Sequence, residues 1–141
     1  MAASKVGVLS CSGEECLGGT LSRLATLKML DELRPDQTVT LCLPLYLAGG
    51  AEERFFAKAF PVIAVDGCDQ CCAKRATEKY SGKVADSVVV SDIIGEEKAK
   101  DPAIVSTKKL TGEHREMADK VADVINKKFT KILNDKGEEK K

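Results

Sequence analysis

The sequence predicts a small α/β domain of Rossmann-like or flavodoxin-like type, with about four parallel strands and helices on both faces of the sheet. Short buried apolar runs recur along the chain, and segments of helical periodicity separate them. Strands that alternate with helices need crossover connections and therefore lie parallel. The length of 141 residues suits one hydrophobic core, and 43% hydrophobic with 31% charged residues is typical of a globular domain.

The first half of the chain contains two predicted strands and the helix between them. The apolar run "KVGVLS" predicts a buried strand over residues 5–10, and "CSGEECLGG" at 11–19 predicts a glycine-rich loop. A helix is expected to begin with Thr20 as its cap and to end at Pro35, because the residue before a proline avoids helical geometry. The β-branched run "TVTLCL" predicts the second strand, over 38–43.

The second half repeats the alternation and ends in a long amphipathic helix. The pattern predicts a helix over 51–59, a strand over 61–65, a helix over 71–80 that ends near Gly82, a strand over 86–91 and a helix over 112–133. The last helix carries an apolar stripe at helical spacing, formed by Met117, Val121, Val124, Ile125, Phe129, Ile132 and Leu133. We expect one domain over residues 1–135 and a charged, disordered tail over 136–141.

Composition and charge exclude several classes of partner. The chain has 22 basic and 22 acidic residues, no tryptophan, two tyrosines and four phenylalanines, which disfavours a nucleic-acid-binding surface. The start of the chain lacks the features of a signal peptide, and no window has the ~20 apolar residues of a membrane span. We therefore expect no membrane partner and a cytoplasmic location. There, six cysteines indicate metal ligands or redox thiols rather than structural disulfides.

Three of the cysteines follow different predicted strands. Cys11 comes just past the first strand, Cys42 lies near the end of the second, and Cys68 follows the third by three residues. The carboxyl ends of parallel strands lie along one edge of the sheet, where open α/β proteins bind their ligands. We therefore expect these three thiols to meet at that edge.

A fourth thiol comes from the segment "VDGCDQCCAKR". If a helix begins directly after Gly67, Cys68 and Cys72 share one of its faces, and Cys71 is rotated away by about 100°. Four thiolates suit a tetrahedral zinc ion or a cubane iron–sulfur cluster. The sequence therefore predicts a metal site formed by Cys11, Cys42, Cys68 and Cys72, with zinc as the leading ion and an iron–sulfur cluster as the alternative.

The same segment resembles the DGC-domain family, which takes its name from an Asp-Gly-Cys motif and is regarded as zinc-binding. The resemblance rests on "CSG" at 11–13, "CLPLYLAGG" at 42–50, "DGC" at 66–68 and "CA" at 72–73. It implies the same four metal ligands that the strand ends indicate, and it implies no role for Cys16 or Cys71. The biochemical activity of the family is poorly defined, so the resemblance implies a metal and little more.

Other functions are open at this point. Cys68 with Cys71 or Cys72 fits a dithiol used for redox chemistry or sulfur transfer. The first glycine-rich loop fits a binding site for a small anion at a helix start. Within the motif, Asp66 is expected to bond the backbone amides of its turn, and Asp69 to cap the following helix. Neither a substrate, nor a protein partner, nor enzymatic activity follows from the sequence.

Overall fold

A four-stranded parallel sheet forms the centre of the molecule. The computed structural model describes residues 5–11, 17–41, 43–99 and 112–139. The strands lie in the order β2-β1-β3-β4, where β1 is Val6–Ser10, β2 is Thr38–Val39, β3 is Val62–Asp66 and β4 is Asp86–Val89. All three neighbouring pairs are parallel, which confirms the predicted α/β class. The order matches that of the first four strands of a flavodoxin-like sheet.

Helices cover both faces of this sheet. In chain order they are α1 Leu17–Lys28, a π-helical turn Met29–Leu33, α2 Leu45–Ala48, α3 Ala51–Arg54, α4 Phe56–Ala59, α5 Cys72–Tyr80, α6 Val90–Ile94, α7 Glu96–Ala99 and α8 Gly112–Glu139. One face packs against α1, α6 and α8 through the larger apolar cluster. The other face packs against the short helices α2 and α4 and against α5, in a smaller cluster built around Leu9, Tyr46, Phe56 and Val62.

The first helix begins earlier than the sequence predicts. It starts at Leu17, so Gly18 and Gly19 lie inside its first turn and Thr20 is a buried helical residue rather than the cap. Glycine is a poor helix former, and the glycine pair therefore resembled a loop in the sequence. The predicted end is confirmed. The last helical residue is Leu33, and Arg34 alone separates it from Pro35.

Two strands are shorter than predicted. β2 ends at Val39, whereas the sequence pattern extended it to residue 43. Pro44 is the N-cap of the short helix α2, and its backbone φ of −58° suits a helix start. β4 ends at Val89, and Val90 begins α6. A short apolar run does not distinguish a strand from a buried helical turn, so the periodicity extended both strands too far.

The last helix is longer than predicted. It runs to Glu139, whereas the sequence pattern ended it at Leu133 and placed a disordered tail from residue 136. Lysine and glutamate, which fill this segment, are good helix formers. In the described part of the chain, no helix has the length and apolarity to cross a membrane.

Candidate functional site at the carboxyl edge of the sheet

The sheet brings the first and third cysteine-bearing segments together. Cys11 directly follows β1 and Cys68 follows β3 by one intervening residue, Gly67, and these two strands are neighbours. Cys72 begins α5, which leaves the same edge. Cys42 and Cys16 lie outside the described residues. None of the four described cysteines is in a disulfide; they are Cys11, Cys68, Cys71 and Cys72.

The sulfur of Cys11 lies against the Asp-Gly-Cys turn. The Gly67 N–H donates to Cys11 Sγ at 3.3 Å, and the Cys11 N–H donates to the Val65 carbonyl at 2.9 Å. On its other side, Cys11 Sγ lies 3.6 Å from Ser22 Oγ in α1. Since Ser22 donates its own proton to the Gly19 carbonyl at 2.6 Å, the Cys11 thiol is the donor in that contact. Cys11 is therefore held between the motif and the first helix.

Asp66 caps the helix that carries Cys72. It is 1% exposed, and its two carboxylate oxygens accept the N–H groups of Ala73 at 2.6 Å and Lys74 at 3.2 Å. Burial raises the pKa of Asp66, and these two backbone donors oppose the rise. The expectation that Asp66 bonds backbone amides is thus confirmed, although the amides belong to α5 rather than to the turn. Asp69, the expected cap, lies two residues before the N-cap position, which Cys71 occupies.

Gly67 has no room for a side chain. A Cβ atom on Gly67 would collide with the backbone nitrogen of Gly19 and lie 2.8 Å from its Cα. A Cβ atom on Gly18 would collide with the Gly67 carbonyl oxygen. The two glycines of "LGGT" and the glycine of "DGC" therefore form one close backbone contact, which holds the start of α1 against the motif.

Cys68 and Cys72 do not share a helix face. Residues 68–71 form a turn in which the Cys71 N–H donates to the Cys68 carbonyl at 3.2 Å, and α5 begins only at Cys72. Cys71 has φ 52° and ψ 48°, a left-handed conformation that is uncommon outside glycine. A shared helix face for Cys68 and Cys72 required a helix that begins directly after Gly67, and this condition is not met, because the turn precedes the helix.

Electrostatics link Cys72 to Cys11 and Cys68, the two other predicted ligands that the structure describes. The pKa of Cys72 is raised by burial, then by the charge of Asp66 and by the neighbouring thiols of Cys11 and Cys68. The pKa of Cys71 is also raised, by burial and then by the charge of Asp66. Of these two cysteines, Cys72 is the one that lines a cavity together with Cys11.

An apolar cavity of about 420 Å³ opens beside this pair. Cys11 and Cys72 both line it, together with Leu43, which is the residue after Cys42. The remaining lining residues come from α2 and α5 and from Pro44. Leu43 therefore lies at the same cavity as Cys11 and Cys72.

The described residues do not form a closed metal site. Among them, no group of three or more His, Cys, Asp or Glu side chains is arranged to hold a metal ion. Of the four predicted ligands, the structure describes three and brings Cys11 and Cys72 to one cavity. The donor chemistry fits zinc or an iron–sulfur cluster, since thiolates are the ligands both prefer.

The start of α1 is poorly suited to an anion. Its first four residues, Leu17 to Thr20, are all buried, and the backbone of Gly67 packs against the glycine pair. A helix N-terminus binds anions through exposed N–H groups. The buried residues of this first turn therefore weigh against the anion-binding hypothesis at this position.

Sequence reasoning missed one residue of this region, Tyr46. It is buried in the second core cluster and lines the cavity beside the thiols. The only available signal was its position within "CLPLYLAGG", where a tyrosine two residues after Pro44 gave no indication of a site. The contact of Gly18 with Gly67 was also missed, although both glycine motifs were visible.

The fold places this chain among the open, parallel α/β proteins, a class in which ligands generally bind at the carboxyl edge of the sheet. Within that class the chain belongs to the DGC domain family, whose model matches residues 7–125 and so spans β2, β3, β4 and all of β1 except Val6. No curated protein and no solved structure matches the chain.

Proposed function

We propose that this chain is a metal-binding protein that uses the thiolates of Cys11, Cys42, Cys68 and Cys72, with zinc as the ion. The hydrogen bond from the Gly67 N–H to Cys11 Sγ carries the proposal, because it joins the thiol after β1 to the motif after β3. Backbone N–H donors to sulfur favour the thiolate form in which cysteine binds a metal.

Three further observations support this ligand set. Cys11 and Cys72 line one cavity, and Leu43, the residue after Cys42, lines the same cavity. Cys11 and Cys68 also both contribute to the raised pKa of Cys72, as thiols at the same edge of the sheet would. In this proposal the ion draws the thiols together and displaces their protons, as metal binding to cysteine generally does. A reducing compartment, such as the cytoplasm, keeps these thiols available.

Metal content of the purified protein tests the proposal. The chain is purified anaerobically, its metals are quantified, and its visible spectrum is recorded. One zinc per chain without visible absorbance is expected. A brown protein that reductant bleaches would replace zinc by an iron–sulfur cluster on the same thiols. If no metal copurifies, none binds on addition, and all six thiols react freely, the proposal is wrong.

Single substitutions identify the ligands. Cys11→Ser, Cys42→Ser, Cys68→Ser and Cys72→Ser are each expected to lose bound metal, whereas Cys71→Ser and Cys16→Ser serve as matched controls and retain it. Cobalt(II) added to the metal-free protein reports thiolate coordination directly through its sulfur-to-cobalt absorption. Loss of metal in Cys71→Ser, with retention in Cys11→Ser, would contradict the assignment.

A second candidate is a dithiol used in redox chemistry or sulfur transfer. The hydrogen-bonded turn from Cys68 to Cys71 favours it, since this turn brings the two residues of the C-x-x-C spacing together. The raised pKa values of Cys71 and Cys72 weigh against it, because a reactive cysteine needs a lowered one. Incubation with glutathione disulfide tests it. The glutathione disulfide would accept two electrons and two protons as a Cys68–Cys71 disulfide forms, and peptide mapping would detect that disulfide.

A further inference from the structure

The sulfur of Cys11 is contacted from two sides by groups that belong to different segments. The Gly67 N–H of the Asp-Gly-Cys turn donates to Cys11 Sγ at 3.3 Å, and Ser22 Oγ in α1 lies 3.6 Å from the same sulfur. The backbone of Cys11 is also fixed, because its N–H donates to the Val65 carbonyl at 2.9 Å. The Gly67 contact belongs to the metal site proposed above, whereas the Ser22 contact has a separate origin in the first helix.

Ser22 is a buried polar residue whose position depends on the glycine contact. It is 0% exposed, and its Oγ donates to the Gly19 carbonyl at 2.6 Å. Gly19 lies against the motif, since a Cβ atom on Gly67 would collide with the Gly19 backbone nitrogen. Ser22 follows Gly19 by three residues and so lies on the same side of the helix. The close packing of the glycines therefore brings the Ser22 hydroxyl to the sulfur of Cys11.

The direction of the Ser22–Cys11 hydrogen bond depends on what the sulfur can donate. A hydroxyl group has one proton and two acceptor lone pairs. In the structure the Ser22 proton points to the Gly19 carbonyl, and the Cys11 thiol donates to Ser22 Oγ. A cysteine that binds a metal does so as a thiolate, which only accepts. Ser22 then keeps its contact with the sulfur by turning its own proton from the Gly19 carbonyl to Cys11 Sγ.

The Gly19 carbonyl does not depend on Ser22 alone. Gly19 lies inside α1, where the N–H four residues further along the helix donates to the same carbonyl. The Ser22 hydroxyl is therefore a second donor to this oxygen and is able to turn away from it. A hydrogen bond to an ionised acceptor is about twice as strong as one between neutral groups, so a thiolate at Cys11 favours this exchange.

We propose that Ser22 is a positioning residue for the metal ligand Cys11. Its hydroxyl and the Gly67 N–H hold the sulfur from two sides, one from α1 and one from the motif. When Cys11 acts as a ligand, Ser22 donates to its thiolate and fixes its direction, as the outer hydrogen-bond partners of metal ligands generally do. This inference rests on the proposed function and adds to it a residue that is not itself a ligand.

Ser22→Ala tests this role, with Thr26→Val as its matched control. Ser22→Ala removes the hydroxyl and introduces a good helix former. Thr26→Val also removes a buried hydroxyl of α1, but one that donates to the Ser22 carbonyl at 2.9 Å. Zinc affinity is measured by competition with a chromogenic chelator. Ser22→Ala is expected to bind zinc at least about tenfold more weakly, since loss of an outer partner typically costs about 10–100-fold, and Thr26→Val is expected to match the unsubstituted protein.

Two further measurements separate positioning of the sulfur from a general loss of structure. With cobalt(II) in place of zinc, the sulfur-to-cobalt absorption of Ser22→Ala is expected at longer wavelength than that of Thr26→Val, because a hydrogen bond to sulfur stabilises the electrons that this transition promotes. In metal-free protein, hydrogen exchange of the Gly67 amide is expected to be faster in Ser22→Ala than in Thr26→Val, since its acceptor sulfur is then held from one side only.

The outcomes distinguish failure of this inference from failure of the metal proposal. Unchanged zinc affinity, an unchanged cobalt spectrum or unchanged Gly67 exchange in Ser22→Ala would overturn the role of Ser22 and leave the metal site standing. An equal loss of affinity in Thr26→Val would also overturn it, because the effect would then come from α1 as a whole. A chain that takes up neither zinc nor cobalt would refute the metal proposal and, with it, the assignment of Ser22.

Discussion

The backbones of Gly18 and Gly67 are in direct contact, so that neither residue has space for a Cβ atom. A side chain on Gly18 would collide with the carbonyl oxygen of Gly67, and one on Gly67 would collide with the first turn of α1. The colliding atoms are backbone atoms, which cannot move aside as a flexible side chain can. This contact fixes the Asp-Gly-Cys turn relative to the first helix.

We therefore expect Gly67→Ala to destabilise the fold. The free energy of unfolding, measured by urea denaturation, should fall by at least about 2 kcal/mol, because overpacking a close contact typically costs about 1–3 kcal/mol. Gly82→Ala is the matched control, since its added Cβ would make an ordinary 3.6 Å contact with Ala57. Equal stability of the two variants would show that α1 and the motif are not in close contact.

The carboxylate of Asp66 should matter more than that of Asp69. Asp66→Asn replaces one of the two acceptor oxygens by an NH₂ group that faces the α5 amides of Ala73 and Lys74. We expect a loss of about 1–3 kcal/mol in the free energy of unfolding, because a buried donor loses its acceptor. Asp69→Asn should change it by less than about 0.5 kcal/mol, as surface substitutions usually do. Similar losses in both variants would contradict the capping role of Asp66.

The left-handed backbone of Cys71 predicts a stabilising substitution. Cys71→Gly removes the steric cost of φ 52°, which is about 1–2 kcal/mol, at the expense of a more flexible unfolded chain. A net gain of about 0.5–1 kcal/mol is expected in metal-free protein. Arg75→Gly, within α5, should instead lose about 1 kcal/mol. A destabilised Cys71→Gly variant would mean that the Cys71 side chain makes contacts that outweigh its backbone strain.

Metal removal should lower thermal stability only where the ligands are intact. Zinc at a hundred times its dissociation constant contributes about 2.7 kcal/mol, which corresponds to roughly 5–10 °C in the midpoint of unfolding for a chain of this size. We expect a chelator to produce this shift in the unsubstituted protein and in Cys71→Ser, and to leave Cys11→Ser unchanged. Scanning calorimetry with and without chelator measures it. A chelator shift of equal size in Cys11→Ser would exclude that cysteine as a ligand.

Much of the fold followed from local patterns. The four strands, their parallel arrangement and the long final helix were all predicted, because buried runs and helical periodicity are properties of short windows. The ends of the elements were less predictable. Val90 and Leu45 begin helices because of their surroundings in the folded chain, whereas their sequence neighbourhoods fit strand or loop as well.

The candidate site was partly predictable for a similar reason. Placing Cys11 and Cys68 at one edge required only that parallel strands end on the same side, and the family resemblance, confirmed by the match over residues 7–125, indicated the same residues. The relation of Cys68 to Cys72 depended on where α5 begins, and the left-handed turn at Cys71 moved that start.

The order of apolar and polar residues was thus sufficient to specify the α/β class, the strands and the edge at which the thiols collect, since each follows from periodicity along the chain. Only the folded chain revealed that Gly67 lies against Gly18, that Asp66 caps α5, and that Tyr46 lines a cavity beside Cys11 and Cys72. The glycine contact and the cavity join segments that are far apart in sequence, so their geometry depends on how the helices pack on the sheet. The Asp66 cap is local, but it depends on where α5 begins.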